Sequence, residues 1–199
     1  MKIKGLRWMA TFLAACMLMG AVPATAFAAK DAGTPPTYNS ATGCYEISTP
    51  AQLLYLAGKW KDGAPRDGHY VLTADIDMTG VKGFKPIASK KAEGFTGTFD
   101  GQFHSIKGLR VEYEKKYAGL FGYVGNQDDQ AYIKNVALLD CYVTGQQNVG
   151  ALAGVNYGTI TDCVVTGEVK CLDLSNSHTA GGICGKLKEG EGPIVGHFE

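Results

Sequence analysis

The sequence predicts an all-β fold, a right-handed parallel β-helix or solenoid with a short N-terminal capping α-helix. Two recurring markers and one amphipathic segment predict it. A glycine-framed stretch occurs three times, as Ala118-Gly119-Leu120-Phe121-Gly122, Gly150-Ala151-Leu152-Ala153-Gly154 and Gly181-Gly182-Ile183-Cys184-Gly185, its last glycines 32 and then 31 residues apart. A second marker, Ile106-Lys107-Gly108-Leu109, Ile133-Lys134-Asn135-Val136 and Ile160-Thr161-Asp162-Cys163, recurs at 27 and 27 residues. A fixed period in this range marks one structural unit stacked on its copies. The amphipathic segment, residues 49–61, stands ahead of the repeats.

An aliphatic residue set between small residues and glycine makes a poor helix and a short strand bounded by turns. One repeat is long enough for a coil of three short strands, each pairing in parallel with its copy in the next coil. Leu120, Leu152 and Ile183 are expected to stack as an internal ladder. Gly119, Ala151 and Gly182, and likewise Phe121, Ala153 and Cys184, are expected to point the other way, because side chains alternate across a strand.

These stretches resemble the GLUG-repeat family of bacterial surface proteins, whose Gly-Leu-hydrophobic-Gly core is matched directly by Gly119-Leu120-Phe121-Gly122. The other copies are looser, with Ala151 and Gly182 where Gly119 stands. The resemblance reaches upstream through Tyr70-Val71-Leu72-Thr73-Ala74-Asp75-Ile76-Asp77 and Phe95-Thr96-Gly97-Thr98-Phe99-Asp100-Gly101, and covers roughly residues 44–196. It implies a β-helix displayed at a bacterial surface. Similar repeats occur in adhesin-like proteins and in the N-terminal regions of zinc-dependent IgA-cleaving metallopeptidases. This sequence has no His-Glu-x-x-His, so the resemblance brings fold and location here but no peptidase zinc site.

The N-terminus reads as an export signal over residues 1–28. Lys2, Lys4 and Arg7 form a basic head, Trp8 to Val22 an apolar run, and Pro23 to Ala29 a small-residue exit, with cleavage expected after Ala28 or Ala26. A competing reading takes Leu13-Ala14-Ala15-Cys16 as a lipobox. Either way the protein is expected outside the cytoplasm, secreted or on the cell surface, with no membrane span left in the mature chain. The full sequence has 19 basic and 19 acidic residues; losing the three basic residues of the signal leaves 16 against 19, a net charge of −3. A slightly acidic chain without a run of basic residues argues against nucleic acid as a partner.

Residues 29–43, with Gly33, Pro35, Pro36, Asn39 and Gly43, read as a flexible linker, and residues 44–199 as the β-helix domain. Thr49-Pro50-Ala51-Gln52 is a helix start, with Thr49 as N-cap, Pro50 in the first turn and Gln52 closing a capping box. Leu53, Leu54, Leu56, Ala57 and Trp60 supply its apolar stripe, and Gly63 its end. Laid over the first coil, it would cover both the open core and the unpaired strand edge. Leu72, Ala74, Ile76 and Met78 alternate with polar residues as one half-buried strand, and regular coils are expected over about 95–197. Ile194-Val195-Gly196-His197 aligns with the second marker, with His197 at the place of Leu109, Val136 and Cys163. The last coil is therefore expected to be incomplete, as in a fragment of a larger protein or a module that docks through its open end.

Beyond Cys16 there are five cysteines, Cys44, Cys141, Cys163, Cys171 and Cys184. Export permits disulfides between coils, but Cys163 and Cys184 also fit ladder positions as small apolar residues. Zinc held by Cys141, Cys163, Cys171, Cys184 and His178 is a weak alternative, given their wide spacing. Asp75 and Asp77 on one strand, with Asp100 about one coil later, are candidate Ca²⁺ ligands, against the reading of all three as turn residues. No catalytic residue and no other cofactor is indicated. Tyr113, Tyr123, Tyr142 and Tyr157 are candidate ligand contacts, since tyrosine offers large amphipathic area, against a role covering the core at turns. The sequence thus leads to a non-catalytic surface scaffold that binds a host or matrix glycan or protein, with a carbohydrate-active β-helix enzyme as the alternative.

Overall fold

The computed structural model describes residues 33–57, 64–173, 179–187 and 194–198. The expected signal peptide with Cys16, the helix continuation through Trp60 to Gly63, and His178 lie outside the described residues.

The chain winds as a parallel β-solenoid. Among the described residues its strands are β1 (Thr37–Asn39), β2 (Cys44–Ile47), β3 (His69–Leu72), β4 (Ile76–Asp77), β5 (Thr98–Asp100), β6 (Ser105–Lys107), β7 (Arg110–Ala118), β8 (Phe121–Val124), β9 (Tyr132–Lys134), β10 (Ala137–Gly150), β11 (Ala153–Asn156), β12 (Thr159–Cys171), β13 (Ala180–Gly181), β14 (Cys184–Leu187) and β15 (Ile194–Phe198); the one α-helix among them is α1 (Pro50–Leu56), and a single 3-10 turn spans Lys91–Glu93. On the first face β2, β3, β5, β9, the start of β12 and β15 pair in parallel, stacking Tyr45, Tyr70, Phe99, Ile133, Ile160 and Ile194 in one row. Successive coils are therefore 25, 29, 34, 27 and 34 residues long. A second face joins β4, β6 and the start of β10. A third joins β7, the rest of β10 and the end of β12, and a separate sheet joins β8, β11 and β14.

The predicted ladder is present. Phe121, Ala153 and Cys184 are in register, and the backbone N–H groups of Leu120 and Leu152 donate to Ala151 and Ile183 of the following coil at 2.9 and 3.0 Å. Leu120 and Leu152 are fully buried. The expectation that Phe121, Ala151 and Ala153 point away from the core is corrected, because all three are also fully buried. The chain bends at Gly119–Leu120, so alternation does not carry through, and Phe121 meets the rings of Phe95 and Phe99 at 5.1 and 5.5 Å.

Backbone packing explains why the marker ends in glycine. A Cβ on Gly154 would stand 2.7 Å from Cα of Tyr117, one on Gly185 2.5 Å from the Val149 nitrogen beside Asn148, and one on Gly122 2.6 Å from Cα of Ser89 beside Ala88. Ala88, Tyr117 and Asn148 all have left-handed backbones, at φ 54°, 68° and 49°. Each final glycine thus receives a tight corner of the preceding coil, and only a residue without a side chain lets the backbones approach.

The second marker proves to mark a corner and not a repeat. Ile133 does stack on Ile160, but Ile106 pairs with Ile76 and Leu138 on the second face. What the three copies share is a left-handed third residue, Gly108 at φ 67°, Asn135 at 55° and Asp162 at 53°. From Tyr70 onward each coil has such residues at more than one position, so the pattern recurs out of phase with the coils. His197 is likewise moved: an irregularity between Ile160 and Cys163 sets Gly196 beside Cys163 and His197 beside Val164. The single strand expected over Leu72–Met78 is two strands, β3 and β4, with a corner between them, although Leu72, Ile76 and Met78 are buried as expected.

At the front end, Thr49 caps α1 by accepting the Gln52 N–H at 3.3 Å, and Gln52 reaches back to the Ser48 N–H at 2.8 Å, one residue before the cap that the motif anticipates. Leu53 and Leu56 are buried and close the core. The helix does not cover the strand edge. That task falls to β1, which pairs antiparallel with β2 inside the segment read as a linker, turned by Gly43 at φ 71°. Rings then run inward from Tyr38 through Tyr45, Tyr70 and Phe95 to Phe121, with centroids 5.0, 5.1, 6.0 and 5.1 Å apart. Tyr70 is buried, with its hydroxyl donating to the Pro65 carbonyl at 2.7 Å.

Glycines in close approach should be far less replaceable than those in open turns. Gly154→Val is expected to cost about 1–3 kcal/mol by overpacking, lowering the melting temperature by roughly 3–10 °C. Gly80, at φ 78° with nothing within 4 Å of an added Cβ, should accept Asn with a change under about 0.5 kcal/mol. Thermal melts of the two variants check the contrast.

Candidate functional site

The third face carries the most ordered exposed chemistry. Along it Arg110, Tyr142 and Glu168 form one row, and Glu112, Thr144 and Lys170 the next. Alternation in β7, β10 and β12 sends these residues to the outer side, where Thr144 alone is buried, while Val111 and Val143 are fully buried on the inner side. The Tyr142 ring is flanked by cations from both neighbouring coils, Arg110 Cζ at 4.3 Å and Lys170 Nζ at 5.3 Å from its centroid. Each cation also has a carboxylate on its own strand. Arg110 Nη2 donates to Glu112 Oε1 at 2.7 Å, and Lys170 Nζ lies 2.7 Å from Glu168 Oε1. The Arg110 bond holds the Glu112 carboxyl below its usual range, and the Glu168 bond raises the Lys170 ammonium. Exposed ion pairs of this kind add little stability; their effect is to fix an alternating pattern of charge on a rigid sheet. Past this row the same strands frame a shallow cleft of about 690 Å³, lined by Glu114, Gln146, Leu172 and Asp173.

Of the four tyrosines expected as contacts, Tyr142 lies on this surface. Tyr113 packs half-buried against the core, and Tyr123 is buried against Tyr117 at 4.6 Å, its phenol pushed up by burial and by the Tyr117 hydrogen bond. Tyr157 is half-buried beside them. Sequence reasoning missed Arg110 and Lys170. The period-two run of charged residues at 110, 112 and 114 held the signal.

The structure does not bring Asp75, Asp77 and Asp100 together as a cation cage. Asp75 accepts from the Ser105 backbone at 2.7 Å and its hydroxyl at 3.1 Å, with His104 Nδ1 at 3.5 Å. Asp77 accepts from the Thr79 N–H at 2.9 Å. Asp100 accepts from the Gln102 N–H and from Asn135 Nδ2, both at 2.9 Å, with Lys134 Nζ at 3.2 Å. Each carboxylate ties its own turn or joins adjacent coils, and among the described residues no three His, Cys, Asp or Glu side chains converge as a metal site. The Ser105 bonds hold Asp75 below the usual carboxylate range, and the Thr79 bonds do the same for Asp77. For Asp100, burial pushes upward but is outweighed by the bonds from Asn135, Gln102 and Lys134.

The described cysteines are all free thiols. Cys141 and Cys163 are buried apolar residues whose thiols burial pushes up to about 11. Native protein treated with a maleimide at pH 7.5 should therefore be modified at Cys44, Cys171 or Cys184 and spared at Cys141 and Cys163, as peptide mass spectrometry would show. A folded-state carboxyl pKa below the unfolded one contributes stability above the unfolded value, which is lost as pH falls through the folded one. Stability should thus be level near neutrality and decline below about pH 4. In melts from pH 7 to 2, Asp100→Asn should be less stable than wild type at pH 7, and the gap should narrow in acid.

A family model described as the GLUG motif matches residues 145–170, from within β10 to near the end of β12. The chain is 32% identical over 151 residues to halomucin of Haloquadratum walsbyi, covering 71% of this chain and 2% of that protein. It is also 32% identical over 130 residues to a "Putative Gly-rich membrane protein" of Evansella cellulosilytica, covering 61% of this chain and 14% of the relative. The chain thus spans a small part of both relatives. The crystal structure titled as a putative immunoglobulin A1 protease from Bacteroides ovatus aligns over 83% of this chain and 70% of its own, at 16% identity and a TM-score of 0.46. Among the described residues no helix is long and apolar enough to cross a membrane. The chain is a β-solenoid that carries the GLUG motif, at residues 145–170.

Proposed function

We propose that this protein is a secreted or surface-displayed, non-catalytic β-helix module that works as an adhesin-like scaffold, meeting a host or matrix glycan or protein through the outer face of β7, β10 and β12. The observation that carries the reading is the ladder on that face, where Arg110, Tyr142 and Lys170 stack across three coils with Glu112 and Glu168 as counter-ions. A parallel sheet holds such side chains about 5 Å apart from coil to coil. The ligand therefore meets groups already ordered, and little entropy is lost on contact. Tyrosine and arginine are also the residues that most often dominate binding surfaces.

Four of the carboxylates are also set for pairing with neighbours. A glycosidase needs one carboxyl raised so that it holds a proton near neutrality, whereas Asp75, Asp77, Asp100 and Glu112 are all lowered. These groups suit ion pairing rather than proton donation.

A glycan array and a panel of matrix-protein coats, run beside assays for new reducing ends and unsaturated products, test the proposal. Binding without turnover is expected, and Arg110→Ala combined with Lys170→Ala should weaken it by about tenfold or more, in line with the loss of a binding hot spot. Turnover of any bound glycan would replace the scaffold reading with an enzyme.

A further inference from the structure

We infer that Phe103 is a stacking platform for one sugar ring of a neutral or amino-substituted glycan, a contact outside the β7–β10–β12 face that rests on the surface-module reading above. Phe103 is 80% exposed, the highest value among the exposed large hydrophobic residues of the described chain. It also occupies a costly backbone. Gly101 to His104 form a tight turn closed by the His104 N–H donating to the Gly101 carbonyl at 2.8 Å, with both central residues left-handed, Gln102 at φ 47° and Phe103 at 63°. Glycine, asparagine or aspartate fill such turns without strain, and a bulky residue there is a true outlier. This turn holds a phenylalanine against two preferences, for left-handed geometry and for burial, and leaves its side chain largely in solvent. Side chains kept in strained and exposed positions are candidates for function.

The surroundings choose the ligand class. Phe103 sits on the corner between the first and second faces, its N–H donating to the Asn135 carbonyl of the next coil at 3.0 Å. Asn135 in turn donates to Thr161, one residue before the exposed Asp162 on the following coil. Phe103 therefore shares this corner of the coils with Gln102, Asn135 and Asp162, and the exposed Asp75 carboxylate is bonded to Ser105, two residues further on. The Gln102 side-chain amide makes no bond among the described residues. A stable protein interface buries roughly 800 Å² per partner around an apolar centre, and one aromatic among polar groups does not supply that. It does match a pyranose, whose polarised C–H face meets the electron-rich ring face while its hydroxyls bond to amide and carboxylate. The carboxylates oppose a uronic or sialic acid and favour a neutral or protonated amino sugar.

Calorimetric titration of the whole protein with N-acetylglucosamine tetramer, glucosamine tetramer and galacturonic acid tetramer tests this. The first two are expected to bind and the third not. Phe103→Asn, which suits the left-handed turn and should melt no lower than wild type, should weaken binding about tenfold or more, and Phe103→Trp should stay within about threefold of wild type. Unchanged affinity in Phe103→Asn, preference for the acidic tetramer, or no binding of either favoured tetramer would overturn the inference. The surface-module reading would survive these results if the array or coats still bound through Arg110 and Lys170. Phe103-dependent binding to a glycoprotein coat that persists after periodate destroys its sugars would assign the ring to a protein partner and also overturn it.

Discussion

The structure depends on the closeness with which one coil's backbone approaches the next. Where a left-handed corner at Ala88, Tyr117 or Asn148 meets the following coil, no Cβ fits opposite it, and Gly122, Gly154 and Gly185 stand there. This fixes the phase of the coils. With the phase set, Leu120, Leu152 and Ile183 fall in line, the first-face row from Tyr70 to Ile160 closes over the core, and outward residues stack into rows of their own. A slip of one residue would exchange inside for outside along the alternating strands of the third face.

Function on such a scaffold comes from what the outward rows repeat. The parallel ladder turns sequence positions about thirty residues apart into neighbours, as Arg110, Tyr142 and Lys170 show. The polar bonds between coils, from Asp75 to Ser105 and from Asp100 to Asn135 and Lys134, hold corners in place so that these rows stay flat and regular. The carboxylates that resemble a metal site in the sequence make these turn and inter-coil bonds instead of converging on one point.

Much of this was legible in the residues. The glycine framing gave the ladder because its cause is local, a small residue wherever a backbone comes close. The capping helix was legible because Thr49, Pro50 and Gln52 act within a few residues of one another. What the sequence hid depends on which coil lies beside which. Ile106 and Ile133 look alike because both precede a left-handed corner, yet they belong to different faces. β1 escaped notice because three residues between turn formers carry no alternation, and only pairing with β2 makes them a strand. Tyr113 and Tyr123 could not be told from Tyr142 without the phase of their strands, and the cations flanking Tyr142 come from two other coils.

The most direct test of the account is solution NMR of the folded protein, reading nuclear Overhauser contacts between the glycine-framed segments. The account predicts side-chain contacts from Leu120 to Leu152 and from Leu152 to Ile183, with backbone contacts joining Phe121 to Ala153. If each leucine instead contacted only residues of its own segment, the coils would not be in register, and the ordered outer face inferred from them would be lost.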